Sequence, residues 1–337
     1  MFDLNQNIPL LLSLLFMVGG LVLLSWSADK FIDSAAIVAR ALGVSPLVVG
    51  MVIIGFGTSA PELAVSALSG LSGHSNLSLG NAYGSCIFNI AAILGVTALI
   101  KPLRVKPSVS YGATLMLVAL AVLSWFLTRD MQFSRGDAWV LLGLFAVLMP
   151  FYCWFDRKTG GAEAAVPEQE NIKPVAKIGD WFWMLAGLVL LVASSHVLVW
   201  GCVDFARDVL HVSDLLIGLT VVAIGTSLPE LASAIVSARK GEPEFVVGNI
   251  IGSNLFNMLA VVGIAGAICP FKDYSPWIVK RDLPLLGLLS LSILLFGVNW
   301  KRGCKLQPGH FNRPEGLLWI VTFIAYTILM IMQETAS

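Results

Sequence analysis

Apolar stretches of roughly 18 to 25 residues, each enough for one membrane crossing, recur along the chain. They lie near 8–28, 44–70, 77–100, 107–127, 137–155, 182–203, 213–238, 245–269, 283–300 and 315–333. A helix rises about 1.5 Å per residue, so each stretch spans a hydrocarbon core of about 30 Å. The pattern predicts ten transmembrane helices. Two of the stretches contain what such helices avoid: GFGTSAPEL at 55–63 and AIGTSLPEL at 223–231, each with a glutamate beside a proline.

The rest of the composition agrees with a lipid environment. The 337 residues are 57% hydrophobic, with a mean hydropathy of +0.84, and only 12% are charged. That charge content is about half the usual share in soluble domains. The 21 acidic and 21 basic residues cancel, so no nucleic-acid footprint is indicated. Cys86, Cys153, Cys202, Cys269 and Cys304 are scattered without a CxxC pair, which excludes a zinc or disulfide framework. The opening MFDLNQNIPLLL lacks a basic region and a small-residue cleavage pattern, so the first stretch is expected to remain as a transmembrane helix.

Lys and Arg orient the spans. With the N-terminus outside, 15 basic residues fall in inner loops and 6 in outer ones, which predicts that both termini face out. The longest polar connection, 156–181, reads as a flexible cytoplasmic linker between a first unit, 1–155, and a second, 182–337.

The two halves repeat. Val44 to Asn89 overlies Val212 to Asn257 without gaps at an offset of 168, with 19 of 46 positions identical. The identities include Gly57/Gly225, Thr58/Thr226, Ser59/Ser227, Pro61/Pro229, Glu62/Glu230, Gly80/Gly248, Asn81/Asn249, Gly84/Gly252, Ser85/Ser253 and Asn89/Asn257. Glu62 lies in the second span and Glu230 in the seventh. Five spans separate them, so the second copy is inverted. Inverted repeats with Gly/Pro-interrupted helices at matching places mark a secondary transporter with a site near the midplane.

Proline removes a backbone donor and glycine loosens the turn before it, which frees carbonyls where no water is available unless a cavity is present. Thr58, Ser59 and Glu62 share one helical face, as do Thr226, Ser227 and Glu230. Ser85 with Asn89, and Ser253 with Asn257, stand four apart in the third and eighth spans. Together they form an all-oxygen shell with neither thiolate nor imidazole, the preference of hard cations. Two ionised glutamates carry –2, which one Ca²⁺ or two Na⁺ neutralise. Intramembrane carboxylates are functional by default. Ser85 and Ser253 also suit helix packing, and Gly80, Gly84, Gly248 and Gly252 are expected at close helix approaches. For Asn81 and Asn249 two readings stand open: ion contact, or bonding to the freed backbone. Asp29, Asp33, His196, Asp204 and Asp208 are expected at interfaces, with vestibule lining as the alternative, and His74, His211 and His310 in loops. The tryptophans and tyrosines read as interfacial belt or packing residues.

At these motifs, GFGTSAPELAVS with LGNAYGSCIFNI and AIGTSLPELASA with VGNIIGSNLFNM, the sequence resembles the calcium/cation antiporter superfamily, in its prokaryotic sodium/calcium exchanger branch. The resemblance implies an all-α polytopic fold of ten helices in two inverted five-helix repeats, with helices two and seven broken. It implies Glu62 and Glu230 as central Ca²⁺ ligands. Thr58, Ser59, Thr226 and Ser227, with the carbonyls of Gly55 and Ala223, would complete the Ca²⁺ and Na⁺ sites. Ser85, Asn89, Ser253 and Asn257 match ligands from the flanking helices. It also implies that spans one and six slide against the other eight. Some relatives carry Asp where Asn257 stands, which argues against potassium dependence here. Cys86 stands where the family has Asn.

The expected function is therefore Na⁺/Ca²⁺ antiport across the inner membrane, with the ions as substrates, no cofactor and no protein partner. Ca²⁺/H⁺ exchange is the near alternative. A cation channel would need a continuous polar stripe, whereas the repeat closes around one glutamate pair. An intramembrane hydrolase would need a Ser–His pair, paired aspartates or a histidine cluster, and none is present.

Overall fold

The computed structural model describes residues 10–42, 45–71, 73, 75–105, 107–158, 176–208, 223–299 and 307–336. His74, His211, Cys304, most of the linker (159–175) and the first half of span seven (213–222) lie outside the described residues. Ten helical segments follow the predicted order: α1 Leu10–Leu42, α2 46–71, α3 Ser75–Ile100, α4 Pro107–Thr128, α5 Arg135–Lys158, α6 Ile178–Asp208, α7 Ala223–Thr226 with Leu228–Lys240, α8 Pro243–Ile268, α9 278–296 and α10 Arg313–Ala336.

Three expectations on extent change. The first apolar stretch ends near 28, but α1 runs 33 residues, to Leu42, and α6 runs 31. At about 1.5 Å per residue both exceed the hydrocarbon core by several turns. Helix continues past the apolar run because polar residues such as Asp29 and Lys30 tolerate helix once outside lipid. The fold is not helix alone. Short strands β1 Leu103–Val105, β2 Gln132–Phe133, β3 Phe271–Lys272, β4 Val298–Asn299 and β5 Gln307–Phe311 close the loops.

Those strands test the span parity. β1, between α3 and α4, pairs antiparallel with β5, before α10, with Leu103 opposite Phe311. β2, between α4 and α5, pairs with β3, between α8 and α9. Ser275 N–H donates to Asn76 Oδ1 at 2.6 Å, joining the start of α3 to the α8–α9 connection. Each pairing joins loops that ten alternating crossings put on one face. One face carries the α5–α6 linker (the linker face); the other carries both termini (the terminal face).

α8 and α3 form the centre, and the hydrophobic stretch of α8 is buried throughout. The halves interlock: α10 packs on α3 and α5 on α8, through the repeat mates Gly95, against Ile320, and Gly263, against Leu142. α1 and α6 pair along their length at the side. Gly20 meets the Leu198 backbone and Gly187 meets Phe31, so these two contacts are themselves repeat-related, here at an offset of 167.

Candidate functional site

Each glutamate is set by a broken helix. Pro61 has no N–H for the Gly57 carbonyl four residues back, nor Pro229 for Gly225. The chain leaves helical geometry at the intervening serines, Ser59 (φ –85°, ψ 9°) and Ser227 (φ –95°, ψ 11°). At Ser59 the two parts of α2 bend by 50°. The break thus falls on the serine and not on Gly55–Gly57, which remain helical. A new helix starts on each side, and Glu62 and Glu230 both lie in its first turn. Helix N-termini offer unpaired N–H groups and positive dipole ends, so a buried carboxylate is held there.

α3 and α8 present matching stripes: Asn81, Ser85 and Asn89, and Asn249, Ser253 and Asn257, each spaced by four. A widened π turn begins at Asn89 and another at Asn257. Such turns often mark functional positions, and no sequence signal announced them.

The breaks meet by exchange between repeats. Ser59 Oγ donates to Glu230 Oε1 at 3.1 Å, and Ser227 Oγ donates to Glu62 Oε1 at 2.9 Å. Ser227 Oγ also lies 3.3 Å from Ser85 Oγ. Ser253 Oγ lies 3.4 Å from the Gly55 carbonyl and 3.4 Å from Asn249 Oδ1, and Thr58 Oγ1 is 3.4 Å from that same Oδ1. Thr58 also donates to the Ile54 carbonyl, 2.9 Å away. Glu62, Glu230, Thr58, Ser59, Ser227, Ser253, Asn89 and Asn257 are all buried.

Among the described residues, Glu62 Oε2, Glu230 Oε2, Asn89 Oδ1 and both amide atoms of Asn257 have no hydrogen-bond partner. Buried polar atoms are ordinarily satisfied, and buried charges are paired or bind cations. Four of these five atoms are hard oxygen acceptors. Among the described residues no three His, Cys, Asp or Glu side chains come together, so the shell has two carboxylates and otherwise neutral oxygens.

Sequence-predicted residues fall into place unevenly. The Gly55 carbonyl already accepts Ser59 N–H at 3.2 Å, whereas Ser227 N–H goes to Ile224 and not to Ala223. Thr226 is buried beside its break. Gly248 and Gly252 do sit at close approaches: a Cβ on Gly50 would stand 2.9 Å from Gly248 Cα, and one on Gly252 would overlap the Met51 backbone. At Gly80 and Gly84 no described atom lies within 4 Å of an added Cβ. His196 is exposed, as an interfacial residue would be; Asp204, expected at an interface, is buried and accepts a hydrogen bond from Ser13. Trp319 packs inside and donates to Ser292 at 2.7 Å.

The open question on Asn81 and Asn249 resolves toward the backbone. Asn81 Nδ2 donates to the Glu62 carbonyl (3.0 Å) and Ser66 Oγ (2.9 Å). Asn249 Nδ2 donates to the Glu230 carbonyl (3.2 Å) and Ser233 Oγ (2.9 Å). Each amide pins the turn that carries a glutamate. Asn254, not singled out from sequence, donates to the Cys86 carbonyl at 3.3 Å and accepts from Asn89 at 3.0 Å. It is the repeat mate of Cys86, and that mismatch was its one signal. Asn81→Leu and Asn249→Leu are each expected to weaken Ca²⁺ binding by about tenfold, the worth of one buried hydrogen bond. Ser66→Ala, which spares the bond to Glu62, should cost less than about threefold. Calcium titration of purified protein measures both; equal losses would remove the pinning role.

The sequence profile of the sodium/calcium exchanger protein family matches residues 12–154 and 179–332. The CaxA protein of Alkalimonas amylolytica is 37% identical over 325 residues, covering 95% of this chain and 99% of its own length. The sodium/calcium exchanger MaX1 of Methanosarcina acetivorans is 26% identical, covering 94% and 97%. A solved structure of the sodium-calcium exchanger NCX_Mj, soaked with Na⁺ and Sr²⁺, superposes with a TM-score of 0.78 at 28% identity, covering 96% of this chain and 99% of that one. Sequence profile, relatives and fold agree over nearly the whole chain: it belongs to the sodium/calcium exchanger protein family and is an integral membrane transporter, not an enzyme.

Proposed function

We propose that the shell around Glu62 and Glu230 is where this exchanger takes up Ca²⁺ and Na⁺ in turn. The observation that carries the reading is the reciprocal bonding of each serine to the other repeat's glutamate, which leaves one oxygen of each carboxylate unpartnered and buried. Glu62 and Glu230 supply the charge. Thr58, Ser59, Thr226, Ser227, Ser85 and Ser253 supply hydroxyls, Asn89 and Asn257 amide oxygens, and Gly55 and Ala223 carbonyls. An empty shell would hold two buried charges, which is costly in a low-dielectric interior. One Ca²⁺ or two Na⁺ neutralises it, so the loaded forms cross and the empty form does not. That coupling is exchange.

The linker face is assigned to the cytoplasm and both termini to the outside of the inner membrane, on the 15-to-6 distribution of basic residues. Na⁺ entering down its gradient then drives Ca²⁺ out.

The test is radioactive calcium uptake into proteoliposomes loaded with Na⁺ and diluted into Na⁺-free medium, with pH and voltage clamped. Uptake should vanish when Na⁺ is equal on both sides. Uptake driven by a pH gradient and not by Na⁺ would move the function to Ca²⁺/H⁺ exchange. In the same assay Asn257→Asp is expected to change the counter-ion dependence with little loss of folded protein. It puts a third carboxylate where both amide atoms are unpartnered. Unchanged ion dependence would take Asn257 out of the shell.

A further inference from the structure

α6, paired with α1, packs against both breaks. A Cβ on Gly57 would run into the side-chain tip of Leu188, and one on Gly225 into that of Val199; both are α6 residues. The pair is knit to itself by backbone contacts at Gly20, Gly187 and Gly201 and by the buried bond from Ser13 to Asp204, so it is built to move as a unit. A charged tie runs from it to one of the breaks' own helices. Lys240, the last residue of α7, reaches Asp29 Oδ1 at 3.1 Å and Asp33 Oδ1 at 2.7 Å on α1, and donates to the Asp29 carbonyl at 3.1 Å. Asp29 and Asp33 stand four apart, on one face of α1.

The repeat makes this tie informative. In the second half, the offset of 167 that relates α1 to α6 puts His196 and Trp200 in place of Asp29 and Asp33. The offset of 168 puts Ser72 in place of Lys240. In sequence, therefore, the repeat mates of these three residues include neither a carboxylate nor a lysine. Inverted repeats tend to give the two end states equivalent packing, and here one copy carries a lysine and two carboxylates that its mate lacks.

We infer that the Lys240–Asp29/Asp33 cluster is a one-sided latch that biases the exchanger toward the conformation closed at the linker face. The inference rests on the transport reading above but not on its ligand assignments, since none of the three residues touches the shell. The lysine is about a quarter exposed and the aspartates more than half, so each ion pair is a modest one. A modest pair suits a bias better than a lock.

The experiment uses the full chain in oriented vesicles and compares half-saturating Ca²⁺ at the two faces. Lys240→Gln, and separately the double variant Asp29→Asn with Asp33→Asn, should lower the linker-face value and raise the terminal-face value. The quotient should shift by about two- to fivefold, the range of an exposed pair. Na⁺ dependence should be intact, which separates failure of this inference from failure of the exchange reading. The charge swap Lys240→Asp with Asp33→Lys should bring the quotient back toward wild type. High choline chloride should shrink the difference between wild type and Lys240→Gln, because salt screens exposed charges. An unchanged quotient in both neutralised variants, or a difference insensitive to salt, overturns the latch.

Discussion

Glu62→Gln and Glu230→Gln are each expected to abolish Na⁺-driven calcium flux, with at least about a hundredfold loss of Ca²⁺ affinity and the fold retained. Each substitution keeps the side chain's size. It replaces a carboxylate oxygen by an amide and halves the charge available to a divalent cation. Breaking a buried charge pairing by removing one partner costs about 3–5 kcal/mol, and 1.4 kcal/mol is tenfold in binding. Folding is spared for two reasons. The serine bond to each glutamate needs only an oxygen acceptor, which Gln retains. A neutral group is also cheaper to bury than a charged one. The two variants should behave alike because the repeat gives the two residues mirrored partners. Calcium titration of purified protein and flux in vesicles, beside a thermal melt, measure both halves of this result. Full flux in either variant would falsify the site assignment.

The second large effect lies in packing. Gly252→Ala is expected to destabilise the protein by about 1–3 kcal/mol or more and to stop transport. A methyl there overlaps the Met51 carbonyl oxygen and Cα. These are backbone atoms of α2, which cannot rotate aside as a side chain does. Nearby contacts are equally tight: a Cβ on Gly55 would stand 2.7 Å from Ser253 N. α2 and α8 are pressed together there so that the breaks and the Ser253–Asn257 stripe converge. The stop in transport follows from geometry, since α2 pushed off α8 carries Thr58 away from Asn249 and Ser253 from the Gly55 carbonyl. Gly143→Ala in α5, where an added Cβ meets no described atom within 4 Å, is the control. A melting temperature lowered equally in both variants would remove the packing argument.

These two predictions draw on different levels of the molecule. Glu62 and Glu230 were legible in the chain because carboxylates beside prolines inside apolar stretches have no neutral explanation in lipid, and because they recur. The ten crossings followed from stretch lengths, and the inversion followed from counting spans between the motifs. The strand pairs β1–β5 and β2–β3 agree with that parity.

Other features depend on which surfaces meet. The periodicity of α3 and α8 aligned Asn81 with Ser85 and Asn89, but not the direction of each amide. Only packing showed that Asn81 and Asn249 turn their donors to the glutamate carbonyls. The lengths of α1 and α6, the π turns at Asn89 and Asn257, and the burial of Asp204 escaped a hydropathy pattern. That pattern records transfer preference residue by residue and not the partner that satisfies a buried polar group. The chain by itself determined the class, the crossing number, the inverted symmetry and the two intramembrane carboxylates, because lipid penalises exceptions so heavily that each one is a signal. The tertiary structure alone decided the exchange of serine bonds between repeats, the backbone-close seat of Gly252 and the reach of Lys240 to α1. Those depend on distances between segments 165 to 207 residues apart, which no local pattern encodes.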